Sequence, residues 1–166
     1  MASVRPEEAP LAAQIRPMHE FDIPVVISIE RASYPFPWSE GIFRDCLRVG
    51  YVCCVADVGE TMAAYGIMSL GAGEAHILNV CVRGEFRRRS LARSMMIHLL
   101  ERARAAGMRE AYLEVRPSNK IAAHLYATLG FEKLGVRRGY YQAAGGREDA
   151  TVLRLVLDSN TDSNSD

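Results

Sequence analysis

Lysine is nearly missing from this chain: Lys120 and Lys133 are the only two, so its basic charge is almost all arginine. The 20 basic side chains meet 20 acidic ones, for a formal net charge of zero. That balance excludes a domain held on nucleic acid by bulk positive charge. No apolar run approaches the roughly 20 residues of a membrane span. The opening MASVRPEEAP has no apolar middle of the signal-peptide kind. A cytoplasmic protein with no membrane partner is the expectation. Cys46, Cys53, Cys54 and Cys81 form no CxxC pair. They read as small buried hydrophobes in a reducing compartment rather than as a disulfide or zinc framework. His19, His76, His98 and His124 show no HExxH spacing, and no metal is expected. Neither a GxxxxGK(S/T) phosphate loop nor a GxGxxG dinucleotide fingerprint occurs.

What is present is an ordinary globular composition, 49% hydrophobic over 166 residues. That length is enough for one domain with a real core. Residues 1–13 are polar and Pro- and Ala-rich, and are expected to be loose. The tail over 158–166, DSNTDSNSD, has no apolar residue and is expected to be disordered. One domain over 14–157 lies between them. Gln14 to Met18 suits a short strand. Asp22 can cap a helix to Ala32, with Pro24 in its first turn. Two prolines keep Tyr34 to Trp38 irregular, and Ser39 can cap a second helix to about Arg48. Tyr51 to Asp57 and Met62 to Leu70 read as strands around a Val58-Gly-Glu60 turn. Ala75 to Val82 is the next strand. Leu91, Met95, Leu99 and Ala103 recur every four residues, the stripe of a helix that Gly107 ends. Glu110 to Val115, Phe131 to Tyr140 and Ala150 to Leu157 complete the strands, with a helix over Lys120 to Leu129. This order predicts an α/β fold, a mixed sheet flanked by helices on both faces.

Two stretches carry chemistry. Arg87 to Arg93 reads RRRSLAR and leads into the strongest helix. Exposed N–H groups at a helix start favour anions, and arginine forks suit phosphates. The alternative is a solvated basic loop. Leu113 to Phe131 reads LEVRPSNKIAAHLYATLGF: a strand ends in the carboxylate Glu114, and the next helix carries the phenol Tyr126. A strand-to-helix step can bring a base and an acid to one cleft. Glu114 can equally be a structural ion pair with Arg116 or another arginine, and Tyr126 a half-buried helix tyrosine.

An anion-cradling helix start, then a carboxylate, then a tyrosine resembles the GNAT superfamily of N-acetyltransferases. Arg87-Arg88-Arg89-Ser90-Leu91-Ala92 is similar to that family's pyrophosphate motif, with Ser90 where the first glycine stands. Phe36-Pro-Trp38-Ser-Glu40, Ile77-Leu-Asn-Val80, Leu113-Glu-Val-Arg116, Ser118-Asn119, Leu129-Gly-Phe131, Arg138-Gly-Tyr-Tyr141 and Gly146-Arg-Glu-Asp-Ala150 resemble the RimI subfamily. The likeness runs from about Ile15 to Leu157. It implies a GNAT fold, with a mixed, mostly antiparallel central sheet, and transfer of acetyl from acetyl-CoA to the N-terminal alanine of the eighteenth small-subunit ribosomal protein. It implies direct attack, with Glu114 as general base and Tyr126 as general acid. Val80, Cys81, Val82, Arg87, Arg88, Arg89, Ser90, Leu91, Ala92, Arg93, Asn119 and Tyr126 would contact the coenzyme. Phe36, Trp38, Tyr140 and Tyr141 would wall the peptide groove.

The chemistry agrees with those roles. An α-amine of pKa near ~8 needs only a modest base, and a phenol near ~10 stays protonated to serve a departing thiolate. Three competitors remain at this stage. One is an acetyltransferase for another N-terminus or a small amine. Another is a non-catalytic acetyl-CoA-binding module, which the acid–base pair argues against. The third is an RNA binder, which zero net charge and the lack of an RNP-like motif argue against.

Overall fold

Among the described residues there are four α-helices and seven strands. They are β1 (Gln14–Pro17), α1 (Ile23–Ser33), α2 (Glu40–Arg48), β2 (Val52–Val58), β3 (Thr61–Gly71), β4 (Glu74–Val82), α3 (Leu91–Ala105), β5 (Glu110–Val115), α4 (Lys120–Thr128), β6 (Glu132–Ala143) and β7 (Gly146–Val156). The computed structural model describes residues 12–157, so the expected tail and nearly all of the expected loose N-terminus lie outside the described residues. The strand order is β1-β2-β3-β4-β5-β7-β6. The β4–β5 pair is parallel; β1–β2, β2–β3, β5–β7 and β6–β7 are antiparallel. This is the mixed, mostly antiparallel α/β architecture expected. Among the described residues no helix is long and apolar enough to cross a membrane. Within them the chain forms two compact units, residues 12–68 with 79–99, and residues 69–78 with 100–157.

In the first unit, Asp22 departs from expectation. Its carboxylate makes no cap bond to α1. It takes the Arg16 fork at 2.8 and 2.9 Å and the His19 N–H at 2.8 Å instead. Arg16 also reaches Asp57 at 2.7 Å, so one guanidinium fastens β1 to the start of α1 and to β2. Ser39 does cap α2, its Oγ accepting from the Ile42 N–H. Phe43 is fully buried, with the Trp38 ring 5.4 Å away and Tyr65 edge-on at 5.8 Å. The stripe residues Leu91, Met95 and Leu99 are buried as the periodicity requires. Gly66 on β3 lets α3 come close: a Cβ there would stand 2.8 Å from Met95 Cγ.

In the second unit, β5 alternates. Ala111, Leu113 and Val115 are buried, while Tyr112 and Glu114 point to the other face. β6 and β7 run longer than expected, because two extra residues are absorbed in a bulge. Arg137 pairs with Ala150 and Tyr141 with Glu148, leaving Arg138, Gly139 and Tyr140 opposite the single Asp149. Gly139 sits at φ 59°, and its N–H donates to Asp149 Oδ1 at 2.8 Å. Arg147 Nε donates to the Gly139 carbonyl at 2.5 Å. The Arg-Gly-Tyr-Tyr and Gly-Arg-Glu-Asp blocks of the sequence are therefore two sides of one interlocked bulge.

Candidate active site

Glu114 stands at the centre of the second unit's polar residues. It lies near the end of β5, whose register with β4 comprises Glu74↔Glu110, Ala75↔Ala111 and His76↔Tyr112 among the described residues. Leu113, Glu114 and Val115 pair with β7 instead. Glu114 Oε2 lies 2.5 Å from His76 Nε2, and Arg137 Nη1 donates to Oε1 at 3.1 Å. The expected ion pair thus exists with a different arginine. Arg116 turns away to Glu148 at 3.2 Å, and Glu148 also accepts the Ser118 N–H. Burial pushes the Glu114 carboxyl up, but hydrogen bonding and charge from His76, then from Arg137, outweigh it and hold the group below the ordinary carboxylate range. Glu74, His76, Tyr112, Glu114 and Val152 line an open pocket of about 190 Å³.

Around Glu114 stands a lattice of rings and guanidinium groups. Arg137 lies over the Tyr140 ring at 4.5 Å and Arg116 over the Tyr141 ring at 4.3 Å. The two tyrosines meet edge-on at 4.8 Å. Burial pushes the Tyr141 phenol up; Tyr140 and Glu114 add to this, Arg116 opposes it, and Tyr126 adds a little. Glu114, Tyr126, Tyr140 and Tyr141 therefore share one electrostatic neighbourhood. Tyr126 is half-buried on α4, and burial raises its phenol further, which keeps it protonated at neutral pH. Asn119 is the α4 cap: its Oδ1 accepts from the Ala122 N–H at 3.2 Å. Its amide nitrogen is the end that can serve a ligand.

The first unit holds the other expected residues. Arg87 and Arg88 are exposed and Arg89 is half-buried, in the turn before α3. Arg88 and Ser90 both adopt φ 63°. A left-handed residue on either side of Arg89 turns successive backbone N–H groups toward one side, as in anion-binding nests. That explains the glycine of the family motif, because glycine takes this conformation without penalty. Arginines at this turn, at the start of a 15-residue helix, make a donor set that fits a diphosphate. Leu91 and Cys81 are buried, so only their backbone groups can serve a ligand. The Val80 carbonyl accepts from the Tyr34 hydroxyl at 3.2 Å, and the Val82 carbonyl accepts from Arg87 Nε at 3.4 Å. Phe36 is exposed, whereas Trp38 is half-buried against Phe43.

Sequence reasoning left room for an arginine other than Arg116 at Glu114 without naming Arg137, and it missed His76. It also missed a buried cluster in the first unit, where Glu30 accepts from Tyr65 Oη at 2.5 Å and from Asn79 Nδ2 at 3.1 Å. A charged residue in the apolar run of α1 was the available signal for the second. A histidine on a strand carried no such signal.

Three comparisons bear on what this arrangement does. A family described as the acetyltransferase (GNAT) family matches residues 23–131. The ribosomal protein bS18-alanine N-acetyltransferase of Salmonella typhimurium is 37% identical over 136 residues, 82% of this chain and 92% of that one. That of Escherichia coli strain K12 is 35% identical over the same span. The crystal structure of the ribosomal-protein-S18-alanine N-acetyltransferase from Escherichia coli superposes with a TM-score of 0.85. It covers 93% of this chain and 100% of that one, at 31% identity.

Proposed function

We infer the activity from the premise that this chain belongs to the GNAT acetyltransferase family. It moves an acetyl group from acetyl-CoA to the N-terminal alanine of ribosomal protein bS18, in the cytoplasm, as one catalytic domain over 14–157. The bound thioester supplies an activated acetyl group, and no metal, membrane or nucleic acid takes part. The observation that carries the reading is Glu114. It is a shielded carboxylate, held by His76 and Arg137, beside the Tyr140 and Tyr141 pair that the subfamily's own motif blocks position.

In this reading Glu114 takes the proton of the substrate's α-amine, directly or through one water. Tyr126 gives a proton to the leaving thiolate. Arg87, Arg88, Arg89 and Arg93, with the backbone of Ser90, Leu91 and Ala92, hold the diphosphate of the coenzyme. In the first unit the backbone of Val80, Cys81 and Val82 is assigned to the coenzyme's acyl arm; in the second, Asn119 and Tyr126 are assigned to the coenzyme. For the peptide, the reading assigns Phe36 and Trp38 in the first unit and Tyr140 and Tyr141 in the second.

The test is acetylation of a synthetic peptide with the bS18 N-terminus, followed by mass spectrometry. The expected product carries one acetyl group on the α-amine. Glu114→Gln should lower kcat by roughly 100-fold or more, the range of a positioned acid–base group, with acetyl-CoA affinity kept. A protein that leaves this peptide unmodified while acetylating small amines overturns the substrate, and an undiminished Glu114→Gln overturns the base.

A further inference from the structure

We propose that Glu30 and Tyr34 are positioning residues that set the gauge of the substrate pocket, by strapping the loop over 34–38 to β4 so that it admits only a small first residue. The inference rests on the reading of Phe36 and Trp38 as peptide contacts and of β4 around Val80 as the strand of the acyl arm. All of these residues belong to the first unit.

The loop cannot hold itself. Pro35 and Pro37 carry no N–H, so Tyr34, Phe36 and Trp38 supply its backbone donors. The Tyr34 N–H donates to the Glu30 carbonyl at 3.0 Å, closing α1, and the Trp38 N–H donates to the Glu30 carboxyl. Glu30 is 2% exposed. Its carboxyl also accepts from Tyr65 Oη of β3 at 2.5 Å and from Asn79 Nδ2 of β4, which lies 3.1 Å from both oxygens. The rings close the circuit: Trp38 packs on Phe43 at 5.4 Å, and Phe43 meets Tyr65 edge-on at 5.8 Å. Trp38 is thus held at its backbone by Glu30 and at its ring by a chain that leads back to Glu30. A second strap stands at the other end of the loop, where the Tyr34 hydroxyl donates to the Val80 carbonyl at 3.2 Å.

Stability alone does not call for this arrangement. A carboxyl enclosed among Val26, Ile27 and Ile29 loses its hydration, and an apolar side chain of similar size would fill the place without that loss. What the carboxyl alone supplies is acceptors that face the loop, β3 and β4 at once. Asn79 and Val80 are neighbours on β4, and the two straps end on them. Directed bonds therefore fix the distance from the loop that bears Phe36 and Trp38 to the strand read as carrying the acetyl group. A wall at a fixed distance discriminates by size, and one methylene in a close-fitting pocket is worth about 10- to 200-fold between substrates. Alanine has the smallest side chain beyond glycine, so the device suits the substrate inferred above.

The experiment offers wild type, Glu30→Gln and Tyr34→Phe a mixture of two bS18 peptides, one beginning with alanine and one with valine in its place. Mass spectrometry reads the two acetylated products. Competition gives the ratio of the two kcat/KM values, which does not depend on how much of the protein is folded and active. Wild type should favour the alanine peptide. In each variant the ratio should fall by about 10-fold, the low end of what a methylene is worth, with KM for the alanine peptide raised and acetyl-CoA affinity kept. A role in the fold alone would slow both peptides equally and leave the ratio unchanged; that result in either folded variant overturns the inference. Should Glu30→Gln not fold, Tyr34→Phe decides alone, because it removes only the hydroxyl of an exposed ring. A wild type that takes both peptides alike has no gauge and overturns the inference while the acetyltransferase reading stands. One that acetylates neither peptide overturns that reading and the inference with it.

Discussion

Phe131 donates its N–H to the Tyr126 carbonyl at 3.0 Å, and the two rings meet edge-on at 6.0 Å. Gly130 lies between them in the turn, at φ 96°, donating to the Ala127 carbonyl at 3.0 Å. These bonds and this ring contact make a Schellman stop for α4. The Leu-Gly-Phe motif is thus the device that sets the height and tilt of the candidate acid.

Gly130→Ala tests that link. Alanine is strained at this φ, and its Cβ would stand 3.3 Å from Leu155 Cδ1. A stability loss of about 1 kcal/mol or more is expected. In a variant that still folds, kcat should fall more than acetyl-CoA affinity, because the shift is felt at Tyr126. Urea unfolding together with steady-state kinetics gives both quantities; loss of affinity alone would contradict the assignment.

Ser90 holds a left-handed backbone that glycine takes freely, at φ 63°. Ser90→Gly should remove strain of roughly 1 kcal/mol and raise the melting temperature slightly. If the turn binds diphosphate through its backbone, calorimetry should find acetyl-CoA bound at least as tightly by the variant. A clear weakening would mean that the serine hydroxyl itself is a ligand contact.

The sequence disclosed periodic and chain-local features well. The α3 stripe, the Ser39 cap and the alternation of β5 are local facts, and each appears where the spacing puts it. The second partner of Glu114 was not local. Glu114 and Arg116 are two apart in sequence where β5 ends, so Arg116 was the nearest candidate, but the bulge in β6 brings Arg137 in and Glu148 draws Arg116 off. The length of β6 failed for the same reason, since a bulge breaks the alternation by which strands are read. Asp22 was read as a cap from its position alone, and Arg16, six residues earlier, won its carboxylate.

Glu30 is 2% exposed, and its carboxyl accepts from Tyr65 and Asn79. Burial raises its pKa, with the hydrogen bonds from Tyr65, Asn79 and the Trp38 backbone opposing. A carboxyl raised on folding contributes stability below its unfolded value, and that contribution is lost as pH rises through the folded value. Unfolding free energy measured from pH 5 to 8 should therefore carry a falling component in wild type that Glu30→Gln lacks. The glutamine also turns an NH2 toward groups that donate, which should cost about 1 to 3 kcal/mol. Equal pH slopes in the two proteins would exclude a titrating Glu30.

Cys81 is 4% exposed and lies against the Tyr65 hydroxyl. A thiol so enclosed is poorly placed to carry an acyl group. Cys81→Ala should retain most activity, and no acetyl-enzyme should accumulate with acetyl-CoA alone. An acetylated Cys81 that passes its group to peptide, seen by mass spectrometry, would replace direct attack with a two-step transfer.

Tyr126 and Glu114 should separate by pH. The phenol is raised by burial, so it stays protonated through the neutral range and its donation does not depend on pH there. Tyr126→Phe keeps the ring against Phe131 and removes only the hydroxyl. Its loss, of order 100-fold if the proton reaches the thiolate, should be nearly constant from pH 6 to 9. The base is needed less as the amine sheds its own proton near pH ~8, so Glu114→Gln should recover over the same interval. A ratio of the two variants' rates that climbs with pH in favour of Glu114→Gln supports an acid and a base in separate roles. A flat ratio would mean that both side chains act in one step, or only as supports for the fold.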